Sequence, residues 1–170
     1  FILYSDGQPV VVVIGSGQYN GKTFGPHRYE IPQMQSSYHN LPEINGVMQH
    51  AGAEYAARDV SYTNENGVTV FTQDIAAAYP AEAGVTTWKR TFTFDRGDGT
   101  VTIADEAAFA GEKNHTETMF ITPVQPEICG DTAVVPAGGA RSVAITCQGA
   151  TLTAEAVDLT FDPNLTGHWN

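Results

Sequence analysis

Val85-Thr-Thr-Trp-Lys-Arg-Thr-Phe-Thr-Phe-Asp95 is the stretch that decides the fold. Trp88, Arg90, Phe92 and Phe94 fall on one side and Lys89, Thr91 and Thr93 on the other, the period of two that marks a strand with one face on a core. Arg96-Gly-Asp-Gly99 follows as a turn into a second strand over 100–104. Its Arg-Gly-Asp triplet has the letters of an integrin-binding loop, but between two strands it reads as turn chemistry. Upstream, Asn64-Glu-Asn-Gly67 separates 54–62 from 68–74, which predicts a hairpin. Residues 74–83 are the one helical piece, held to a turn or two by Pro80 and the Gly84 behind it.

Outward from this centre the rhythm repeats. Pro9-Val-Val-Val-Val-Ile14 is a β-branched run that predicts a strand buried on both faces. Further strands are expected over 115–124, 131–135, 141–147 and 150–157, with Gly138-Gly139 and Gln148-Gly149 between the last three. Short alternating strands with turn signals predict an all-β chain, an antiparallel sandwich or barrel. No linker divides it, so 1–170 reads as a single domain.

The chain has 170 residues, 42% of them apolar, enough for a substantial core. Continuous apolar runs such as 10–14 are far too short for a membrane-spanning helix. No charged-then-apolar leader opens the chain, and it begins at Phe1, so it reads as a processed product or a piece of something longer. Net charge is −11, with six Lys/Arg against nine Asp/Glu in 1–96 and two against ten in 97–170. The acidic half is a solvated surface that argues against nucleic acid. Lys22, Arg28, His27, His39 and His50 lie in the first third, where an anionic partner would be met. Cys129 and Cys147 lack metal spacing and read either as a cross-strand disulfide or as two ordinary thiols.

Candidate chemistry concentrates between Arg28 and Gly46. Read as a strand, 34–39 places Gln35, Ser37 and His39 on one face. Asn45-Gly46 predicts a two-residue hairpin turn, which would set His50 opposite Leu41 and diagonally from His39, roughly 7–8 Å away. His39 then has three readings: a metal ligand needing two or three partners, a general base, or a structural residue on a nearby carbonyl. Tyr19 and Tyr29, in loop-rich polar surroundings, suit stacking on sugar rings, whereas Trp88 reads as core. Gly15-Ser-Gly-Gln-Tyr-Asn-Gly21 lacks the third glycine and following helix of a phosphate cradle.

Gly15-x-Gly-x-Tyr19, Thr23-Phe24, Arg28-Tyr29 and Gln35-Ser-x-Tyr-His-Asn-Leu-Pro-x-Ile-Asn-Gly46 together resemble the heparinase II/III-like family. Residues 76–85 and Trp88-Lys-Arg90 agree with it. The resemblance covers roughly residues 1–125. It implies an antiparallel β-sandwich of the large super-sandwich type, the C-terminal domain of a bacterial polysaccharide lyase, which works beside an N-terminal helical toroid on acidic, uronate-containing polysaccharide such as glycosaminoglycan, in a periplasmic or secreted setting. The toroid supplies the acid/base tyrosine and neutralises the uronate carboxylate, which makes the α-proton removable before the glycosidic oxygen leaves. The sandwich lines the cleft, with Tyr19, Arg28, Tyr29, His39 and Asn40 nearest the sugar.

In several members of that family this domain binds zinc, and His39 matches one ligand. The family's metal-binding aspartate falls where Val13 stands, and its histidine-rich motif ends just before Phe1, so the zinc site within 1–170 is expected to be incomplete and the chain inactive alone. The alternative is a non-catalytic carbohydrate-binding or structural module.

Overall fold

The computed structural model describes residues 1–169. They condense into two compact units, one built from 1–41 together with the chain from 118 onward, the other from 42–117. The fold is all-β, and every ladder with a defined register is antiparallel. Among the described residues no helix is long and apolar enough to cross a membrane.

The first unit opens with the hairpin of β1 (Leu3–Ser5) and β2 (Gln8–Val11). Val10 and Val11 are buried, and beyond the strand Val12 bridges Ile121 and is buried with Ile14. The β-branched run is thus the buried segment its composition predicts. Residues 34–39 depart from expectation. They are not a strand: 3₁₀ turns occupy Arg28–Glu30, Pro32–Met34 and Ser36–His39. Pro32 presets the first turn of its segment, and Gln35 N–H closes on the Pro32 carbonyl at 2.9 Å. With no apolar residue at every second position, this segment gains nothing from a pleated face. The row of Gln35, Ser37 and His39 therefore dissolves.

The second unit is the regular one. Its strands are β3 (Pro42–Ile44), β4 (Arg58–Glu65), β5 (Val68–Asp74), β6 (Val85–Asp95), β7 (Thr100–Phe109) and β8 (Thr116–Thr118). β4, β5, β6 and β7 form a meander in sequence order, and β3 pairs with β8. Asn45-Gly46 and Asn66-Gly67 are the turn residues, each pair at positive φ (53° and 79°; 52° and 81°). These are the angles of a type I′ turn, which Asn-Gly tolerates best. Ile44 and Val47 exchange two backbone bonds of 2.9 Å, as the hairpin reading expects. The ladder does not continue to His50, whose N–H donates to the Ala78 carbonyl instead.

On β6, Trp88 and Arg90 are buried on one face and Lys89 is exposed on the other. Trp88 packs with Ile44, Ile75, Tyr79 and Ala83, each large side chain contributing about 1.5–3 kcal/mol of burial. The helical piece at 74–83 is two 3₁₀ turns, Ala76–Ala78 and Ala81–Ala83.

The chain then returns to the first unit as β9 (Glu127–Cys129), β10 (Thr132–Pro136) and β11 (Ser142–Thr146), in the order β11-β10-β9. Val135 and Ala137 meet Val10 and Val11, so two sheets face each other through one apolar core. The strand expected over 115–124 is only β8, and 150–157 forms no ladder among the described residues. Its alternation is real, but a strand also needs a partner edge. The cross-strand disulfide fails on topology: Cys129 opposes Thr132, which opposes Thr146 next to Cys147. With β10 between them the cysteines lie two strand spacings apart, about 9.6 Å, beyond the ~7 Å a disulfide spans. Both thiols are free. The α-helix of the described residues is α1 (Pro163–Trp169), outside the segment where a helical turn was expected.

Candidate functional site

The predicted site residues Tyr19, Arg28, Tyr29, His39 and Asn40 all lie in the first unit, within its irregular 15–40 segment. That segment has almost no ladder of its own and is held by side chains. Asn40 is fully buried at φ 60°, a left-handed angle asparagine adopts more readily than other non-glycine residues. Its Nδ2 donates to the carbonyls of Phe1 (2.8 Å) and Val12 (2.9 Å), and its Oδ1 accepts from Ile121 N–H at 2.9 Å. Through these bonds it closes the backbone where Val12 and Ile121 meet. Asn40 therefore holds the segment in place.

A second pin is Asp162, 5% exposed. Its Oδ1 accepts from the N–H groups of Asn164 (2.9 Å) and Leu165 (3.3 Å), capping α1. Its Oδ2 accepts from Gln18 N–H at 2.6 Å and from Gln33 Nε2 at 3.4 Å. Gly17 lies against this carboxylate so closely that a Cβ there would overlap Asp162 Oδ2 and Gln33 Nε2. The loop bearing Tyr19 is thus tied to the helix start, 144 residues away in sequence. Asp162-Pro163, an N-cap residue followed by proline, is the helix-start signal that the strand-centred reading passed over.

His39 is half-buried, and its Nε2 donates to the Gln33 carbonyl at 3.0 Å. This is the geometry of its structural reading. Val13 is half-buried beside the Val12 bridge. Among the described residues no three His, Cys, Asp or Glu side chains converge as a metal would require. His50 belongs to the second unit, where its ring packs on Tyr55 at 4.9 Å.

The outward-facing groups are different in kind. Tyr19 is 73% exposed and packs edge-on against Phe24, ring centroids 5.3 Å apart. Phe24 is a neighbour the stacking argument did not include, although Thr23-Phe24 belongs to the motif. Asn20 fixes this corner, its N–H donating to Thr23 Oγ1 at 2.9 Å. Tyr29 is also exposed. The cations of the segment are unequal. Lys22 Nζ and His27 Nδ1 each lie 2.6 Å from a Glu30 carboxylate oxygen. Hydrogen bonds from Lys22 first and His27 second hold that carboxyl below the usual carboxylate range. Arg28 has no carboxylate partner among the described residues. It is half-buried, and among those residues its Nη2 donates to Met34 Sδ at 3.5 Å while its buried Nε has no partner.

No protein-family model matches the chain, and no curated protein matches it either.

Proposed function

We propose that this chain is the C-terminal β-sandwich domain of a heparinase II/III-like polysaccharide lyase, and that it lines the cleft for an acidic polysaccharide without carrying the acid/base chemistry itself. The observation that carries this reading is Arg28. A half-buried guanidinium with no carboxylate partner among the described residues, its Nη2 reaching Met34 Sδ, suits the carboxylate of a uronate ring. Exposed Tyr29 follows it in the chain, and the Tyr19–Phe24 corner offers apolar ring faces for the sugar. β-Elimination needs a base for the α-proton and an acid for the leaving oxygen. In this reading both come from the toroid, and zinc in the complete protein would draw on residues besides His39.

One observation favours a second reading, a non-catalytic carbohydrate-binding or structural module. His39 and Asn40, the two polar residues at the heart of the motif, are both committed to backbone groups.

Titration with an unsaturated-end-free oligogalacturonate tests the proposal by amide chemical shifts. Expected are shifts over 28–40 and at least a tenfold weaker binding in Arg28→Ala. No shift with any uronate oligosaccharide would sink the cleft-lining role. The chain alone should release no unsaturated product from uronate polymers, and a steady rise in its absorbance would refute the assignment of the chemistry to another domain.

A further inference from the structure

In the second unit, sheet β4–β7 runs past its own core. Trp88 and Arg90 of β6 are buried on the covered part of one face. Farther along that face the cross-strand partners Tyr62, Phe71, Phe92 and Ile103 form one row across all four strands. The next row is Asn64, Thr69, Phe94 and Val101. Strand spacing makes each row about 14 Å long, and the pleat sets the rows roughly 7 Å apart. Tyr62 is 63% exposed and Phe94 38%, while Phe71 and Phe92 pack together with centroids 6.2 Å apart.

Polar groups flank these rings in fixed positions. The Arg96 guanidinium lies 5.0 Å above the centre of the Phe94 ring and donates to Asn64 Oδ1 at 3.2 Å and to Thr69 Oγ1 at 2.8 Å. Thr69 Oγ1 in turn donates to Asn64 Oδ1 at 3.1 Å. These bonds orient the Asn64 amide and leave its Nδ2 to donate outward.

We propose that this open half of the sheet is a platform for an uncharged polysaccharide chain, which stacks on Tyr62 and Phe94 and bonds its hydroxyls to the Asn64–Thr69–Arg96 group. Aromatic rings beside oriented hydrogen-bonding side chains match a pyranose, which presents C–H groups on its faces and hydroxyls around its rim. Charge selects among occupants. Residues 42–117 carry five Lys/Arg against twelve Asp/Glu. A second copy laid face to face would oppose like charge, and an anionic polymer would be repelled in the same way. A neutral glycan meets neither cost. The platform lies in a different unit from Arg28 and takes an uncharged chain rather than an anionic one, so it stands or falls independently of the lyase reading.

The test is calorimetric titration of the full chain with cellohexaose, mannohexaose, laminarihexaose and maltohexaose, with an oligogalacturonate as the acidic comparison. At least one neutral hexasaccharide should bind. Tyr62→Ala and Phe94→Ala should each weaken it tenfold or more, Tyr62→Phe should retain it, and Arg28→Ala should leave it unchanged. Tyr62 is exposed, so unaltered melting of Tyr62→Ala separates lost binding from lost fold. Two results overturn the proposal: no neutral glycan shifting the amide signals of Tyr62, Thr69 and Phe94, or a dimer in light scattering that Tyr62→Ala dissociates, which assigns the face to a second copy.

Discussion

The two units solve the same problem by different means. In 42–117 long ladders satisfy most of the backbone, Trp88, Ile75 and Ile44 make the core, and side-chain closures such as Asn45 on the Ala83 and Lys113 carbonyls sit outside the meander. In 1–41 and the chain from 118 onward, short sheets leave much backbone without a ladder, and buried polar side chains close it. Asn40 and Asp162 do for the irregular segment what strand neighbours do for β6. The difference teaches where stability is concentrated. A meander spreads it over many equivalent bonds, whereas a pinned loop rests on a few irreplaceable ones.

The sharpest way to break this contrast is Asn40→Ala. It strands two carbonyls and one N–H, at about 1–3 kcal/mol for each buried group, so a loss of roughly 3–5 kcal/mol is expected in urea unfolding. Amide exchange at Val12 and Ile121 should quicken with it. A loss below about 1 kcal/mol would show that the segment is not held by this side chain.

The meander also buries one charged side chain. Arg90 is 1% exposed and pairs bidentately with Asp105, Nε to Oδ1 at 2.8 Å and Nη2 to Oδ2 at 2.6 Å. The Asp105 side chain keeps 26% exposure and can be rehydrated. Arg90→Leu should therefore cost about 2–3 kcal/mol, below the 3–5 of a fully buried pair. Adding Asp105→Leu should recover much of it. No recovery in the double variant would assign Arg90 to packing rather than pairing.

The smallest effect appears with pH. Tyr79 is buried and donates to the Pro42 carbonyl at 2.5 Å. Burial chiefly, against a lowering influence from Arg90, raises its pKa above the ordinary 10.0. Below that value the phenol is protonated in both states and stability is flat with respect to it. Above it the unfolded chain loses a proton the folded one keeps, so stability falls with pH by at most about 1.4 kcal/mol per unit. Unfolding followed from pH 9 to 11 should show this decline, and Tyr79→Phe should reduce it. An identical decline in Tyr79→Phe would remove Tyr79 as its source.

The same contrast explains what could be read in advance. β6, the hairpin at Asn66-Gly67, the Asn45-Gly46 turn and the burial of Val10, Val11, Val12 and Ile14 are legible because each follows from residues two to four apart. Exposed Tyr19 and Tyr29 were legible too, as aromatics set among glycine and polar residues. The 34–39 segment was misread as a strand because serine and glutamine carry no periodic signal, and Pro32 tipped them into 3₁₀ turns.

By itself, then, the chain's sequence determined an all-β, antiparallel fold and the places where it turns, since pleat and turn angles are local properties of the backbone. Only the tertiary structure decided the rest. It set β10 between the cysteines, turned Asn40 inward, brought Asp162 to Gln18, and left Arg28 without a carboxylate among the described residues. Those outcomes depend on which distant groups still lack a partner once the sheets have formed, and local spacing does not encode that.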